Sequence, residues 1–407
     1  MTTTDLSKPH FGRLFWLALG NFAIGTVGFM IAGLLPVLAS DLDVSIETAG
    51  RLVSIYALSY AITSPILTTF TGHLDRRKVL IGSMLAFILA NILAFQAADY
   101  WWLSGALVLL ALSAGLYVPN ANALALAFVP PQRRGLALLI VNGGTTLSLI
   151  FGVPLGAIIG QNFGWHLAFA CVAALAMVAA MGLVLGLPQT VERQGPVVTL
   201  RERATVIARP DILIVLLVTM LWSAGGFTVY TYLVPYLMTA TDIGESNLSI
   251  VFFMWGIAAA IGVFSGGALS DRLGNGVMGS FTLAVLVATF SALSILAFAV
   301  PPALAATPVL VTIGIWGIAG WAFYPSHLSR LVQNSGPALA PVALSLNASF
   351  LNFGISIGSM LGSITLSRSS AVHLGWVGAL CEVLALVLLL GSSKVVSILA
   401  KTTGLDP

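Results

Sequence analysis

A chain of 407 residues that is 58% hydrophobic, 8% charged and +1.02 in mean hydropathy is solvated by lipid, because soluble domains carry about a quarter charged residues. A net charge of +3 is no nucleic-acid signature. Two cysteines, Cys171 and Cys381, lie in separate apolar runs without Cys or His neighbours at metal spacing, so neither a disulfide nor a metal centre is expected.

Apolar runs long enough to cross a bilayer fall at about 14–40, 48–71, 79–98, 101–128, 135–160, 165–187, 210–239, 247–270, 277–299, 306–332, 338–366 and 373–393. The first is too long for a signal-peptide core and reads as a retained helix. The longest polar interval, 188–209, carries Glu192, Arg193, Arg201, Glu202, Arg203 and Arg209 and separates six runs from six. The expected fold is therefore all-α and membrane-spanning. It has a six-helix half over 1–187, a linker over 188–209, with room for a short surface helix, and a second half over 210–407. With the N-terminus inside, the inner segments hold 15 of the 17 Lys and Arg, and Arg51 and Arg368 alone lie outside. The positive-inside rule thus places both termini in the cytoplasm.

Between the second and third runs stands Gly72-His73-Leu74-Asp75-Arg76-Arg77-Lys78. It is echoed 195 residues later by Gly267-Ala268-Leu269-Ser270-Asp271-Arg272-Leu273-Gly274. The shared glycine, leucine and Asp-Arg order at matching points of two halves signals internal duplication. Each copy is expected as a tight loop at the membrane surface, where charge and turning backbone are tolerated. Glycines repeat every four residues in the fifth run, as Gly152, Gly156 and Gly160 around Pro154, and in the eleventh, as Gly354, Gly358 and Gly362. That spacing lets helix backbones approach closely.

The doubled loop resembles the inter-helix signature of the major facilitator superfamily. Further stretches resemble its bacterial drug/proton-antiporter branch, and within it the arabinose and sugar efflux permeases. They are Gly25-Thr26, Gly33-Leu34-Leu35-Pro36, Pro130-Pro131-Gln132-Arg133-Arg134-Gly135-Leu136-Ala137, Gly152-Val153-Pro154-Leu155-Gly156, Gly164-Trp165-His166 and Leu346-Asn347-Ala348-Ser349. The resemblance implies a 6+6 secondary transporter working by alternating access. It also implies a cytoplasmic gating role for Gly72, Asp75, Arg76, Arg77, Gly267, Asp271 and Arg272. Two departures stand out. The branch commonly has an acidic residue on helix 1 where this chain has Gly28, and an arginine on helix 4 where it has Leu107. Both charges are associated with proton coupling in the family, which puts standard antiport in question.

No P-loop, G-x-S-x-G or H-E-x-x-H is present, so neither ATP drive nor membrane hydrolysis has a motif to rest on. The spans instead carry hydroxyls, amides and aromatic rings, which in lipid need partners from helices, water or solute. The candidate cavity residues are Asn21, Thr26, Tyr56, Tyr60, Tyr117, Asn120, Asn142, Thr146, Tyr230, Trp316, Trp321, Tyr324, Asn347 and Asn352. Interhelical packing competes with this reading at each position. Trp101, Trp102 and Trp165, near span ends, fit an interfacial belt. Glu382, mid-span in the last run, and His327 in the tenth are the titratable groups left for proton coupling, tyrosines apart. The competing reading of Glu382 is a protonated, neutral acid hydrogen-bonded to a neighbouring helix. The expected function is export of a small neutral or weakly polar solute, with protons as a candidate co-substrate. An uncoupled facilitator or uptake carrier and a membrane-embedded sensor are the alternatives. The partners are the solute and the lipid bilayer, without nucleic acid or cofactor, and the carrier is read as a monomer.

Overall fold

The computed structural model describes residues 11–188, 199–244 and 247–403, and these form helices and short connections without a strand. Lipid-exposed backbone must satisfy its polar groups within its own segment, so an apolar chain of this kind has the helix as its solution. Among the described residues, twelve helices are long and apolar enough to cross a membrane. They are α1 (Gly12–Asp41), α2 (Ile46–Phe70), α3 (Arg76–Phe95), α4 (Tyr100–Ala127), α5 (Arg134–Phe163) and α6 (Trp165–Gly186), followed by α7 (Pro210–Tyr230), α8 (Leu248–Leu273), α9 (Asn275–Ala299), α10 (Pro302–Gly336), α11 (Leu339–Arg368) and α12 (Ala371–Gly391). The chain divides into two compact units, Met1–Thr199 and Leu200–Pro407. Of the linker, residues 189–198, including Glu192 and Arg193, lie outside the described residues, as do Lys8 and Glu245. The linker's end is a short helix, Leu200–Ile207.

The helix ends follow local chemistry. Ser45 starts α2 by accepting the Thr48 N–H, and Asp99 starts α4 by accepting the Trp102 N–H, the usual use of short oxygen-bearing side chains at an N-cap. Gly164, Gly274 and Gly336 have φ of 87°, 85° and 71° and make the turns from α5 to α6, α8 to α9 and α10 to α11. A side chain at any of these three would be strained by the left-handed backbone.

In unit 1, α1 runs against α5. Gly152, Gly156 and Gly160 present bare backbone to Thr26, Met30 and Leu34 of α1. Pro154 cannot donate to the helix ladder, and the turn before it, Ser148–Gly152, widens into a π-helix that absorbs the lost bond. Unit 2 repeats the packing with α7 and α11. Gly354 lies on Met220 and Ser223, Gly358 on Ala224, and Gly362 on Thr228 and Tyr232. A second pairing is also repeated. Gly115 of α4 meets Ser64 of α2, whose hydroxyl donates to the Gly115 carbonyl at 2.8 Å, while Gly262 and Gly266 of α8 meet Ile318 and Ala322 of α10.

Three details differ from the sequence reading. The seventh run is broken: α7 ends at Tyr230, and a separate helix, Leu233–Ala240, follows a turn. Pro235 has no N–H for the Thr231 carbonyl four residues back, so the ladder fails there. The second Asp-Arg copy is not a loop, because α8 continues through Asp271 and Arg272 to Leu273 and leaves Gly274 alone to turn. Trp165 is not interfacial: it is 1% exposed, and its Nε1 donates to Asp41 Oδ2 at 2.7 Å, tying α6 to the end of α1. Trp101 and Trp102 are exposed. Both cysteines are free, Cys171 exposed and Cys381 buried.

Candidate functional site

At the first Asp-Arg copy, Asp75 is the N-cap of α3. Its Oδ1 accepts the Arg77 N–H at 2.8 Å, and Arg77 Nη2 donates to the Val184 carbonyl of α6 at 2.7 Å. One carboxylate thus starts a helix, and the neighbouring guanidinium ties that start to another helix. Gly72 and Arg76 flank the same turn. At the second copy Asp271 and Arg272 are exposed in the last turn of α8, with Gly267 one turn earlier, and Ser270 bonds Asn275 across Gly274. The two copies share sequence but have different local geometry.

In unit 1 the polar groups cluster on α1 and its neighbours. Asn21, fully buried, donates from Nδ2 to the Val141 carbonyl of α5 at 3.0 Å. Tyr117 of α4 donates to the Leu17 carbonyl at 3.2 Å and lies over Gly20. Thr26 donates to Phe22 in its own helix, and Tyr56 lies opposite Gly28. Tyr60 is buried, and Thr146 is half-buried. Asn120 and Asn142 each donate from Nδ2 to the carbonyl four residues back, Leu116 and Leu138. Asn142 is exposed and Asn120 half-buried.

Unit 2 holds a continuous aromatic wall. Trp222 stacks on Tyr324 at 5.7 Å, Trp321 lies 6.3 Å from Tyr324 and 6.4 Å from Trp255, and Trp255 lies 4.6 Å from Tyr230 and 5.4 Å from Trp316. The rings come from α7, α8 and α10. Asn347 of α11 accepts the Thr219 hydroxyl of α7 at 2.7 Å, and Asn352 donates to Ala348 one turn back. Trp255 is 4% exposed and its indole N–H has no acceptor among the described residues. Trp222 and Trp255 were not singled out from sequence. Their mid-span position, which separates Trp316 and Trp321 from an interfacial belt, was the signal that could have found them.

The two titratable candidates have different surroundings. His327 is buried, its Nε2 lies 2.9 Å from the Val215 carbonyl of α7, and its ring stacks on Phe323 at 4.6 Å. Glu382 of α12 is fully buried, and neither carboxyl oxygen has a hydrogen-bond partner among the described residues. The neighbouring helix that the sequence reading expected to satisfy it offers bare glycine instead, at Gly225 of α7.

Charge at the start of unit 2 is organised separately. Arg209 pairs with Asp211 at 2.7 Å and donates to the Asn334 carbonyl at the end of α10. Donating hydrogen bonds to the Asp211 carboxylate pushes the Arg209 pKa further up. Arg203 of the linker helix is buried and donates to Ser345 of α11 at 2.8 Å, and burial lowers its pKa. Among the described residues no group of three or more His, Cys, Asp or Glu could hold a metal.

Comparison with known proteins places this architecture. The Major Facilitator Superfamily profile matches residues 17–359. The chain is 32% identical to the uncharacterized MFS-type transporter YtbD of Bacillus subtilis, over 95% of this chain and 96% of that protein. It is 32% identical to the inner membrane transport protein YdhP of Escherichia coli, over 93% and 95%. A chloramphenicol resistance protein of Streptomyces lividans is 30% identical over 92% and 94%. Among solved structures, a peptide transporter, POT, superposes with a TM-score of 0.77 at 15% identity, covering 97% of this chain and 99% of that one. A bacterial homologue of the lysosomal transporter Spinster gives 0.68 at 19% identity, covering 96% of each chain. These two show the shared fold. The chain belongs to the Major Facilitator Superfamily of membrane transporters.

Proposed function

We propose that the chain exports a small, neutral or weakly polar organic solute across a bacterial inner membrane by alternating access, as a monomer. The observation that carries this reading is the aromatic wall of unit 2, where Trp222, Tyr230, Trp255, Trp316, Trp321 and Tyr324 meet. Flat rings with few polar groups favour an uncharged, partly apolar ligand over an anionic one. Asn347 and Asn352 of the same unit would add hydrogen bonds, Asn21, Asn120 and Asn142 are the polar candidates within unit 1, and the Asp75 and Asp271 regions would gate the cytoplasmic side. Export, rather than uptake, is favoured by the resemblance to efflux permeases and by the chloramphenicol resistance relative. The inner-membrane location follows the YdhP relative, and cytoplasmic termini follow the cation distribution.

The test is chloramphenicol flux into inside-out vesicles containing the protein, with and without an imposed pH gradient. Gradient-dependent accumulation supports a coupled exporter. Equilibration that ignores the gradient supports the second reading, an uncoupled facilitator, which Gly28 and Leu107 favour by standing where the family commonly carries charges. If neither chloramphenicol nor a panel of neutral aromatic solutes and pentoses moves faster than in empty vesicles, the transport reading is wrong.

A further inference from the structure

We propose that Glu382 is the proton-carrying group of this carrier and that the α7 backbone at Gly225 is the seal that separates it from water. The proposal rests on the coupled-export reading above and adds the site.

Glu382 is 0% exposed, and both its oxygens lack a partner among the described residues. A Cβ built on Gly225 would lie 2.7 Å from Oε1 and 2.9 Å from the Gly378 carbonyl, so this contact exists because residue 225 has no side chain. The surrounding elements supply no counter-charge. α9, Asn275–Ala299, contains no titratable residue, and its Phe290 closes over Gly378. On α7 the remaining titratable groups are Asp211, at the far end in its pair with Arg209, and Tyr230, whose ring faces Phe252, Trp255 and Trp316. On α10, His327 is occupied by the Val215 carbonyl, Tyr324 stacks on Trp222, and Arg330 lies near the end of the span. α12 itself adds the adjacent, buried Cys381 and, at the helix start, His373, bonded to Ser369. A bare carboxylate has nothing here to replace its hydration, whereas a carboxylic acid needs much less.

The seal has a joint close by. α7 ends at Tyr230, and the turn before Leu233–Ala240 begins six residues beyond Gly225. Discontinuous helices recur at ion and substrate sites of secondary transporters because they can move in part. When α7 lifts from Gly378 and Glu382, the carboxyl O–H gives its proton to entering water and the carboxylate is hydrated. With solute bound the first side closes, and water admitted from the other side then returns a proton to the same oxygen before α7 reseats. One proton crosses per cycle, and no other group changes state.

Infrared spectroscopy on purified protein in lipid vesicles tests the site without knowledge of the solute. The wild type at neutral pH should show a protonated-carboxyl C=O band that is absent from Glu382→Gln, a neutral isostere of the acid that should fold normally. In the same vesicles, Glu382→Gln should lose pH-driven chloramphenicol accumulation by about tenfold or more while solute exchange at equal pH stays within about twofold. Gly225→Ala, which forces the helices apart, should shift the band or expose it to deuterium exchange faster than in the wild type. Identical carboxyl spectra for wild type and Glu382→Gln would overturn the proposal, as would full pH-driven accumulation in Glu382→Gln. A wild type that carries solute but ignores pH, while still showing the Glu382 band, defeats the coupling role and leaves the transport reading standing.

Discussion

Asp75 shows how much one residue can be asked to do. Its carboxylate caps α3, a role asparagine fills equally well, so Asp75→Asn should keep stability close to wild type, while Asp75→Ala should cost about 1 kcal/mol. If the gating role holds, Asp75→Asn nonetheless reduces chloramphenicol flux severely at unchanged protein level. Wild-type flux in that variant would reduce the residue to a cap. Trp255 makes the complementary case. Its indole N–H has no acceptor among the described residues, so Trp255→Phe loses no hydrogen bond and should lower the melting temperature only through its smaller packing volume, yet weaken binding of a solute that offers an acceptor there by about tenfold, roughly 1.4 kcal/mol. Equal affinity, read by equilibrium dialysis, would remove Trp255 from the site. At this scale the sequence was a partial guide. Glu382 could be picked out because a mid-span acid is rare, but its lack of a partner depends on Gly225, 157 positions away in the chain.

At the scale of elements, glycine spacing carried real information. The four-residue repeats in α5 and α11 were legible as close-packing faces, and the partner helices, α1 and α7, were not. A Cβ on Gly358 would come 2.2 Å from the Ala224 carbonyl, whereas one on Gly226 would meet nothing within 4 Å. Gly358→Ala should therefore destabilise unit 2 by about 1–3 kcal/mol, by overpacking, while Gly226→Ala should be neutral or stabilise by up to about 1 kcal/mol through helix propensity. Thermal unfolding of the two purified variants checks the contrast, and equal melting temperatures would contradict the packing. The break in α7 and the persistence of α8 through Asp271-Arg272 were the two misjudged elements. In the first, one missing N–H at Pro235 outweighed an unbroken apolar run. In the second, two charges did not end a helix because the last turn can extend beyond the hydrocarbon, with Gly274 available to terminate it.

For the whole molecule, the cation count makes a direct prediction. A green fluorescent protein fused after Pro407 should fluoresce in cells, and alkaline phosphatase at the same point should be inactive, because 15 of 17 Lys and Arg then lie on the cytoplasmic side. The reverse pattern would invert the topology and move the Asp75 region outside. The sequence alone determined that this is a membrane protein of twelve spans, and its repeated motif pointed to an internal duplication, since hydropathy, charge placement and the motif are properties of the order of residues along the chain. The tertiary structure decided which helix each glycine face meets, that Trp165 is tied to Asp41 instead of lying at an interface, and that Trp222 and Trp255 complete an aromatic wall with Trp316 and Trp321. Those are pairings between residues distant in the chain. In lipid they are selected by backbone approach and packing, not by a hydrophobic drive that could be read from any one segment.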